Sequence, residues 1–226
     1  MPELIIVGAS GLARETLALV AASGRHRPVA VVDDGAARWG SELGGVPVIG
    51  GLDAVREHPR AEIVVCVGHG SARARLVDRL RAVGVVDSRY ARLVHPDVHV
   101  PDDCRIGAGS IVLAGVVLTA DVSLGRHVVT MPNVTLTHGN RIGSYATLCA
   151  GVTLGGGVRV GEEAYVGMGA SVRERSRIGR RATLGMGAVL LRDQPAGETW
   201  VGVPAAARLE PASIRRAGTS REEARA

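Results

Sequence analysis

Aliphatic residues recur at every sixth position in the second half of the chain, without one insertion, from Val94 to Val189. These 96 residues divide into sixteen hexads, and Thr130 alone among the first residues of the hexads is not aliphatic. A helix spaces apolar residues by about 3.6 and a strand by 2, so a period of six fits neither element. It is typical of a hexapeptide β-helix, in which three short strands and three turns make a triangular coil of about 18 residues. We expect roughly five stacked coils, and the pattern disfavours an ordinary β-sandwich.

The other positions of the hexads fit the same architecture. The fifth positions hold residues of small or moderate size, and Asn140 departs from this rule. We expect the aliphatic first residues to fill the interior of the prism and the fifth residues to lie near its corners. Many second positions are glycine, which we interpret as suiting the turns. These glycines are Gly107, Gly125, Gly143, Gly161, Gly167, Gly179 and Gly185.

The first ninety residues follow a different pattern, in which short apolar runs alternate with amphipathic stretches. Strands are predicted over residues 4–7, 29–32 and 62–67, and helices over residues 12–22 and 72–83. Alternating strands and helices predict a small parallel sheet of Rossmann-like type, with ligands beyond the carboxyl ends of its strands. The predicted organisation is an α/β domain over residues 1–90, a parallel β-helix over 91–209 and a polar tail over 210–226.

The loops that follow the first two predicted strands contain candidate ligands for a substrate. Gly8, Ser10 and Gly11 open the first helix in a degenerate form of the dinucleotide fingerprint. Free amides at such a turn can hold a phosphate, although the glycines also suit a turn that serves packing alone. Asp33 and Asp34 end the second strand and can accept hydrogen bonds from a ribose or another sugar.

Histidine is the side chain most often used as a general base near neutral pH, and the chain has seven. His69, in the loop after the third strand, is either a ligand contact or a solvated turn residue. His138 lies in hexad 136–141, which contains the exceptional Asn140 and follows the hexad that begins with Thr130. Breaks in a consistent pattern tend to fall at functional sites, so His138 is the candidate base. The alternative is a histidine on an outward turn.

Composition limits the classes of partner. The formal charge is +5, and every one of the 27 Lys and Arg residues is Arg. This charge suits anionic ligands such as phosphates, but aromatic residues are only 2% of the chain and offer no stacking platform for nucleic acid. We find no apolar run long enough for a membrane span and no signal peptide, and we expect a cytoplasmic protein.

Metal and disulfide chemistry are not expected. The three cysteines, Cys66, Cys104 and Cys149, are far apart and form no C-x-x-C pair. A catalytic zinc needs three protein ligands, and the H-x-x-x-x-H pair used by γ-class carbonic anhydrases does not occur. We therefore expect reduced, packed cysteines and no metal.

The ordered motifs of the chain resemble those of the bacterial sugar O- and N-acyltransferases, typified by the sialic acid O-acetyltransferases and the acetyltransferases of UDP-4-amino-sugars. The resemblance runs from about Leu4 to Arg208. It rests on the hexads and on runs at residues 8–11, 31–34, 45–50, 67–70, 93–96, 167–170, 185–188 and 201–205. It implies a left-handed β-helix and a trimer with active sites between neighbouring prisms. The implied reaction moves an acetyl group from acetyl-CoA to an amine or hydroxyl of a sugar.

The resemblance also implies roles for particular residues. His138 would be the general base, and the backbone amide of Gly156 would bind the developing oxyanion. The N-terminal turn, Asp33, Asp34 and the His69 loop would bind a nucleotide-sugar acceptor. The coenzyme A site would include Gly156, Met168, Met186, Arg180 and Pro204. Arg180 belongs to an arginine-rich stretch that either meets phosphates of coenzyme A or forms a solvated face.

Two positions near His138 depart from the family pattern. The family usually has Asp or Glu after its histidine and a second histidine nine residues later, whereas this chain has Gly139 and Thr147. Without a carboxylate the tautomer of the imidazole is less firmly set and the base is weaker, unless Glu162 or a neighbouring subunit supplies an acid. Two alternatives therefore stay open: an acyl-CoA-dependent transferase with a non-sugar acceptor, and a scaffold prism that binds ligands without turnover.

Overall fold

The computed structural model describes residues 1–208, so the predicted polar tail lies outside the described residues. The N-terminal part is a five-stranded sheet of order β3-β4-β2-β1-β5, flanked by two helices. Its strands are β1 (Glu3–Val7), β2 (Arg27–Val32), β3 (Glu42–Leu43), β4 (Val46–Gly50) and β5 (Glu62–Val65), and its helices are α1 (Gly11–Ser23) and α2 (Gly70–Ala82). All pairs are parallel except the edge pair β3–β4. Three 3-10 turns cover Ala36–Arg38, Leu52–Glu57 and Asp87–Arg89.

The predicted strands and helices of this part are all present, with ends shifted by two residues at most. Helix α1 begins after Ser10, whose hydroxyl oxygen accepts from the amide of Ala13, and ends at Gly24 in the left-handed conformation. The sequence analysis missed β3 and β4. Strand β4 contains Pro47, which lacks an amide hydrogen, and a proline in a run of this kind argues against a strand when only the sequence is known.

The second part is a left-handed parallel β-helix, as predicted. Each coil contributes one short strand to each of three faces, and up to Val189–Leu190 the strands pair in parallel with residues eighteen positions away. At the end of the second face, Thr199–Val201 pairs in parallel with Thr183–Leu184 and antiparallel with Ala206–Ala207. The first face contains Arg105–Ile106, Ser123–Leu124, Arg141–Ile142, Arg159–Val160 and Arg177–Ile178. The second contains Leu93–Val94, Ile111–Val112, Val129–Thr130, Thr147–Leu148, Tyr165–Val166, Thr183–Leu184, Thr199–Val201 and Ala206–Ala207. The third contains Val117–Leu118, Thr135–Leu136, Thr153–Leu154, Ser171–Val172 and Val189–Leu190.

The interior of the prism is built from the first and fifth residues of the hexads. They form one continuous apolar cluster along its length, because each coil covers the side chains of the coil below. At the lower end Val94, Val100 and Ile106 are only partly buried. At the upper end Trp200 is 6% exposed and packs against the cluster, so an indole ring closes the core there.

The turns do not use the second-position glycines for a left-handed backbone conformation, contrary to our expectation that these glycines suit the turns. The left-handed residues lie at the fourth position of the hexads, and several are not glycine, for example His127, Asn133 and Tyr145. The second-position glycines are instead required by the close approach of neighbouring coils, which leaves no room for a Cβ. A Cβ at Gly125 would lie 2.6 Å from the backbone nitrogen of Ser144 in the next coil, and one at Gly161 would lie 2.5 Å from that of Arg180.

We call the turns from the first to the second face the first corner, those from the second to the third face the second corner, and those from the third back to the first face the third corner. The N-terminal sheet packs against the second face near the first corner. Its core cluster continues into the prism through Leu93, Ile111 and Val129. The two parts therefore share apolar surface, and the loops of the α/β domain are held against the prism.

Candidate active site

His138 lies on the third corner, where the turn after Leu136 presents its side chain to solvent. Its ring packs directly over Gly156, the residue one coil above. A Cβ at Gly156 would fall 2.3 Å from Nε2 of His138, so this imidazole occupies the space that a larger residue would fill. The amide of Gly157 donates to the His138 carbonyl at 2.8 Å, which fixes the two coils together at this point. The structure thus brings the two predicted catalytic residues together.

Gly139, the departure next to His138, adopts a left-handed conformation with φ of 71°. This is the fourth position of its hexad, and at the same corner Asp121 and Arg175 adopt it with side chains. The ion pairs formed by histidines of residues 1–208 involve His26, His58 and His95, not His138. Within the described part of one chain, no carboxylate is therefore paired with the candidate base.

Glu162, the residue considered as a substitute acid, lies elsewhere. It is on the first corner, between Val160 and Tyr165, and its carboxylate is 3.8 Å from Nε of Arg180. Because His138 is on the third corner, Glu162 of the same chain does not reach it. Thr147, the second departure, is fully buried and bonded to the α/β domain, since its hydroxyl donates to the Gly68 carbonyl at 2.6 Å.

The N-terminal turn is held by hydrogen bonds to neighbouring strands. The Ser10 hydroxyl donates to the Cys66 carbonyl at 2.7 Å, and the Asp33 carboxylate accepts from the Ala9 amide at 2.7 Å. Gly8 has φ of 97°, and a Cβ there would lie 3.1 Å from the Cys66 carbonyl oxygen, whereas Gly11 has open space. Part of the hydrogen-bonding capacity of Ser10 and Asp33 thus shapes the turn itself.

Two hollows adjoin this turn. One of about 390 Å³ is lined by Ala9, Ser10, Gly11, Arg14, Arg38, Ser41, Glu42, Leu43 and Val48. The other, of about 200 Å³, is lined by Val7, Gly8, Val32, Asp33, Asp34, Leu52, Val67 and Leu76. Arg14 and Arg38 give the first hollow positive charge beside the free amides at the start of α1, a combination that suits phosphate. Asp34 is ion-paired with Arg79 at 2.5 Å.

His69 connects the α/β domain with the prism. It precedes α2, and its exposed ring stacks on Tyr165 of the second face with ring centres 5.2 Å apart. The side chain is therefore neither a free solvated residue nor isolated from the prism. Its contact with Tyr165 holds the loop after β5 over the second face.

Of the five predicted coenzyme A residues, Gly156 adjoins His138 and the other four lie away from the third corner. Met168 and Met186 are on the second corner, 54% and 73% exposed, one coil apart. Arg180 is on the first corner and is 3.3 Å from the carboxylate of Glu163. Pro204 is exposed, after a cis peptide bond, in the segment that follows Thr199–Val201. A single chain thus separates Met168, Met186, Arg180 and Pro204 from the candidate base.

The sequence analysis missed a buried cluster between the two domains. His127, which breaks no rule of the repeat, is fully buried, and its ring stacks on Tyr145 at 5.1 Å and meets the edge of Tyr90 at 4.5 Å. Burial, with help from Arg126 and Arg73, lowers the pKa of His127 to about 4. Arg73 is also fully buried, and burial lowers its pKa to about 10. These residues lack a local motif because their partners are distant in sequence.

The three cysteines are free and buried, and burial raises the pKa of the Cys66 thiol to about 12. A protonated thiol is a poor nucleophile, so this group suits packing rather than catalysis. In residues 1–208 no group of three His, Cys, Asp or Glu side chains is arranged to hold a metal ion. Over the same residues, neither helix has the length and apolar character needed to cross a membrane.

The hexapeptide β-helix, the small α/β domain and the exposed histidine over a glycine amide define a hexapeptide-repeat acyltransferase. Residues 3–80 match the PglD N-terminal domain family. PerB from Caulobacter crescentus, solved with CoA and GDP-perosamine, is 31% identical over 92% of this chain and 98% of that one, with a TM-score of 0.83. The acetyltransferase domain of PglB from Neisseria gonorrhoeae is 30% identical over 92% and 100%, with a TM-score of 0.82.

A variant of the C. crescentus GDP-perosamine N-acetyl transferase in which a histidine is replaced by alanine has also been solved with CoA and GDP-perosamine. It is 30% identical over 93% of this chain and 98% of that one, with a TM-score of 0.85. No curated protein sequence matches the chain. The chain belongs to the hexapeptide-repeat family of sugar acetyltransferases that includes PerB and the acetyltransferase domain of PglB.

Proposed function

We propose that this protein transfers an acetyl group from acetyl-CoA to the amine of a nucleotide-linked amino sugar. The observation that carries the proposal is the third corner, where the exposed His138 ring packs against Gly156. A base and a backbone amide donor at one point are the two groups that acyl transfer requires. The relatives with CoA and GDP-perosamine bound support the choice of substrates.

His138 acts as the general base of the proposed reaction. It accepts a proton from the acceptor amine while the nitrogen attacks the thioester carbonyl, and the Gly156 amide donates a hydrogen bond to the resulting oxyanion. When the intermediate collapses, the carbon–sulfur bond breaks and the imidazolium returns its proton to the leaving thiolate. With Gly139 in place of a carboxylate, the imidazole relies on its packing over Gly156 for orientation.

The acceptor is proposed to bind at the N-terminal turn. Arg14, Arg38 and the free amides at the start of α1 suit the phosphates of a nucleotide. Asp33, in the adjoining hollow, suits a sugar hydroxyl, since each of its carboxylate oxygens accepts one amide bond, from Ala9 or Gly35, and can accept a second bond. The His69 loop, stacked on Tyr165, would border the sugar. Acyl chain length and the identity of the sugar depend on the shape of this pocket.

We further propose that the enzyme is a homotrimer with each site formed between two prisms. His138 is on the third corner and Met168 and Met186 are on the second, so a groove that includes all three requires a corner from a neighbouring chain. Arg180 and Pro204 are proposed to border the coenzyme A site. The cytoplasmic location stays a prediction.

Replacement of His138 tests the assignment. In an assay of thiol release from acetyl-CoA with a panel of UDP-, GDP- and dTDP-linked amino sugars, His138→Ala is expected to lower kcat by about 10²–10⁴, the usual contribution of a general base. His99→Ala, which removes another exposed histidine of the prism, is the matched control and should leave kcat unchanged.

Three results would contradict parts of the proposal. Full turnover by His138→Ala would show that His138 is not the general base. Turnover with free amines but not with nucleotide sugars would favour the non-sugar acceptor. Binding of coenzyme A without release of thiol to any acceptor would favour the scaffold that the His138-Gly139 sequence leaves open.

A further inference from the structure

Asn140 occupies an interior position of the prism that is otherwise held by small or apolar residues. It is fully buried, and its Nδ2 donates to the Gly155 carbonyl at 2.8 Å. Its Oδ1 is buried without a hydrogen-bond partner within the described chain. Leaving a buried acceptor unpaired is unfavourable, so stability alone does not explain an asparagine here.

The acceptor of this bond belongs to the peptide unit that carries the oxyanion donor. The carbonyl of Gly155 and the amide of Gly156 are the two ends of one planar trans peptide, so they point in opposite directions. A donor that fixes the carbonyl therefore fixes the direction of the Gly156 N–H. The same bond polarises the peptide and strengthens its N–H as a donor.

This peptide needs an external anchor, because Gly155, Gly156 and Gly157 are consecutive and glycine restricts its backbone least. At comparable turns the second-position carbonyl accepts from an amide of its own turn, as Gly143 does from Ala146 at 3.2 Å and Gly161 from Ala164 at 3.3 Å. At Gly155 the side chain of Asn140, from the coil below, donates to the carbonyl instead.

We propose that Asn140 is a positioning residue for the acetyl-transfer reaction. It holds the Gly155–Gly156 peptide so that the Gly156 amide points at the oxyanion, next to the His138 ring. This inference rests on the proposed function, and it explains why the asparagine that breaks the size rule of the fifth positions shares a hexad with the candidate base.

The prism contains a matched control. Ser110, also at a fifth position, donates from Oγ to the Gly125 carbonyl at 3.0 Å, again fifteen residues later. That bond lies at the first corner, away from His138. A shorter hydroxyl at this kind of position thus reaches the carbonyl of the next coil, which makes serine the conservative replacement for Asn140.

The test compares Asn140→Val, Asn140→Ser and Ser110→Val with the full-length wild type. Asn140→Val should lower kcat by at least about tenfold with the KM for acetyl-CoA unchanged, since loss of one oxyanion donor costs about 10²–10³ and a misdirected donor somewhat less. Asn140→Ser should recover most of this loss. Ser110→Val should keep the wild-type kcat, whatever it does to the thermal midpoint.

Crystal structures of wild type, Asn140→Val and Asn140→Ser give a readout independent of turnover, and the Gly155–Gly156 peptide should be rotated in the valine variant alone. An unchanged kcat and peptide in Asn140→Val would overturn the inference, and so would an equal fall in kcat for Ser110→Val. A wild type without turnover on any acceptor would instead count against the proposed function, and the peptide orientation would still decide the role of Asn140.

Discussion

At the residue scale, His127 shows how the domain interface depends on protonation. Its two ring nitrogens are buried without hydrogen-bond partners in the described chain, between the rings of Tyr90 and Tyr145. Burial and the nearby Arg126 and Arg73 lower its pKa to about 4, and Asp87 opposes this only in part. The folded state therefore excludes the imidazolium, while the unfolded chain binds a proton near pH 6.5.

This difference predicts acid lability with a definite sign. The contribution of His127 to the free energy of unfolding should be constant above pH 6.5 and fall by about 3 kcal/mol as the pH drops through 4, because the unfolded state binds more protons. Urea unfolding between pH 4 and 7.5 measures it. His127→Asn, which suits the φ of 53° at this position, should lose that part of the pH dependence. Identical pH profiles for the two proteins would disprove the assignment.

Some residues of the candidate site could be found from the sequence because they break a repeat. His138 and Asn140 fall in the one hexad that departs from the fifth-position rule. His127 breaks nothing, since the fourth position accepts many side chains, and its burial depends on tyrosines that the fold brings to it. The packing of His138 over Gly156 likewise becomes visible only when coils are stacked.

At the scale of elements, the contact of helix α2 with the prism is organised by one side chain. Arg73 donates to the backbone carbonyls of Val67, Gly68, His127, Tyr145 and Ala146, and to the Thr147 hydroxyl. A planar guanidinium with several fixed donors can satisfy such a set, and a lysine cannot. Gly70 adds a close approach, since a Cβ there would lie 2.1 Å from the Tyr145 carbonyl oxygen.

Arg73→Lys is therefore expected to loosen the His69 loop. The variant should lose about 2–4 kcal/mol of unfolding free energy, as several buried carbonyls lose their donor. It should also raise the KM for the acceptor more than that for acetyl-CoA. Arg75→Lys, an exposed change on the same helix, is the control in both denaturation and steady-state kinetics. Equal KM values for the acceptor in wild type and Arg73→Lys would show that the loop does not depend on Arg73.

Periodicity predicted the elements well where burial repeats locally. The hexads gave the strands of the prism, and the alternating runs gave β1, β2, β5 and both helices. Strands β3 and β4 were missed because a short antiparallel edge pair with Pro47 has little pattern of its own. The interface was also missed, because its bonds join residues more than fifty positions apart.

At the scale of the whole molecule, the chain separates the parts of the proposed site. His138 is on the third corner and the exposed methionines are on the second, with the third face between them. This separation could not be predicted from the sequence, because the corner to which a hexad belongs depends on where the three-sided coil begins. The trimer was predicted only from the resemblance to the family, not from the pattern of residues in the chain.

Mixing of variants tests whether two chains share each site. His138→Ala lacks the base, and the double variant Met168→Glu, Met186→Glu places charge on the second corner, so each alone should be inactive. Random trimers from equal amounts should recover about one quarter of wild-type turnover. A site is intact only when its base comes from a methionine-variant chain and its second corner from a His138→Ala chain, and each of these conditions is met in about half of the sites. No recovery, or full activity of the methionine variant alone, would argue against shared sites.

The glycines at the first corner determine which positions of the prism can accept substitutions. Gly107, Gly125, Gly143, Gly161 and Gly179 stand one above another, each with its missing Cβ replaced by the backbone of the next coil. Across the first face, the same column at the third corner reads Thr119, Thr137, Gly155, Arg173 and Leu191. All five positions at the first corner exclude a side chain, whereas four of the five at the third corner carry one, and Gly155, where a Cβ would lie 2.6 Å from the Glu174 nitrogen, is the exception. Different side chains can therefore be accommodated at the third corner, where His138 lies. The glycines of the first corner meanwhile preserve the spacing of the coils.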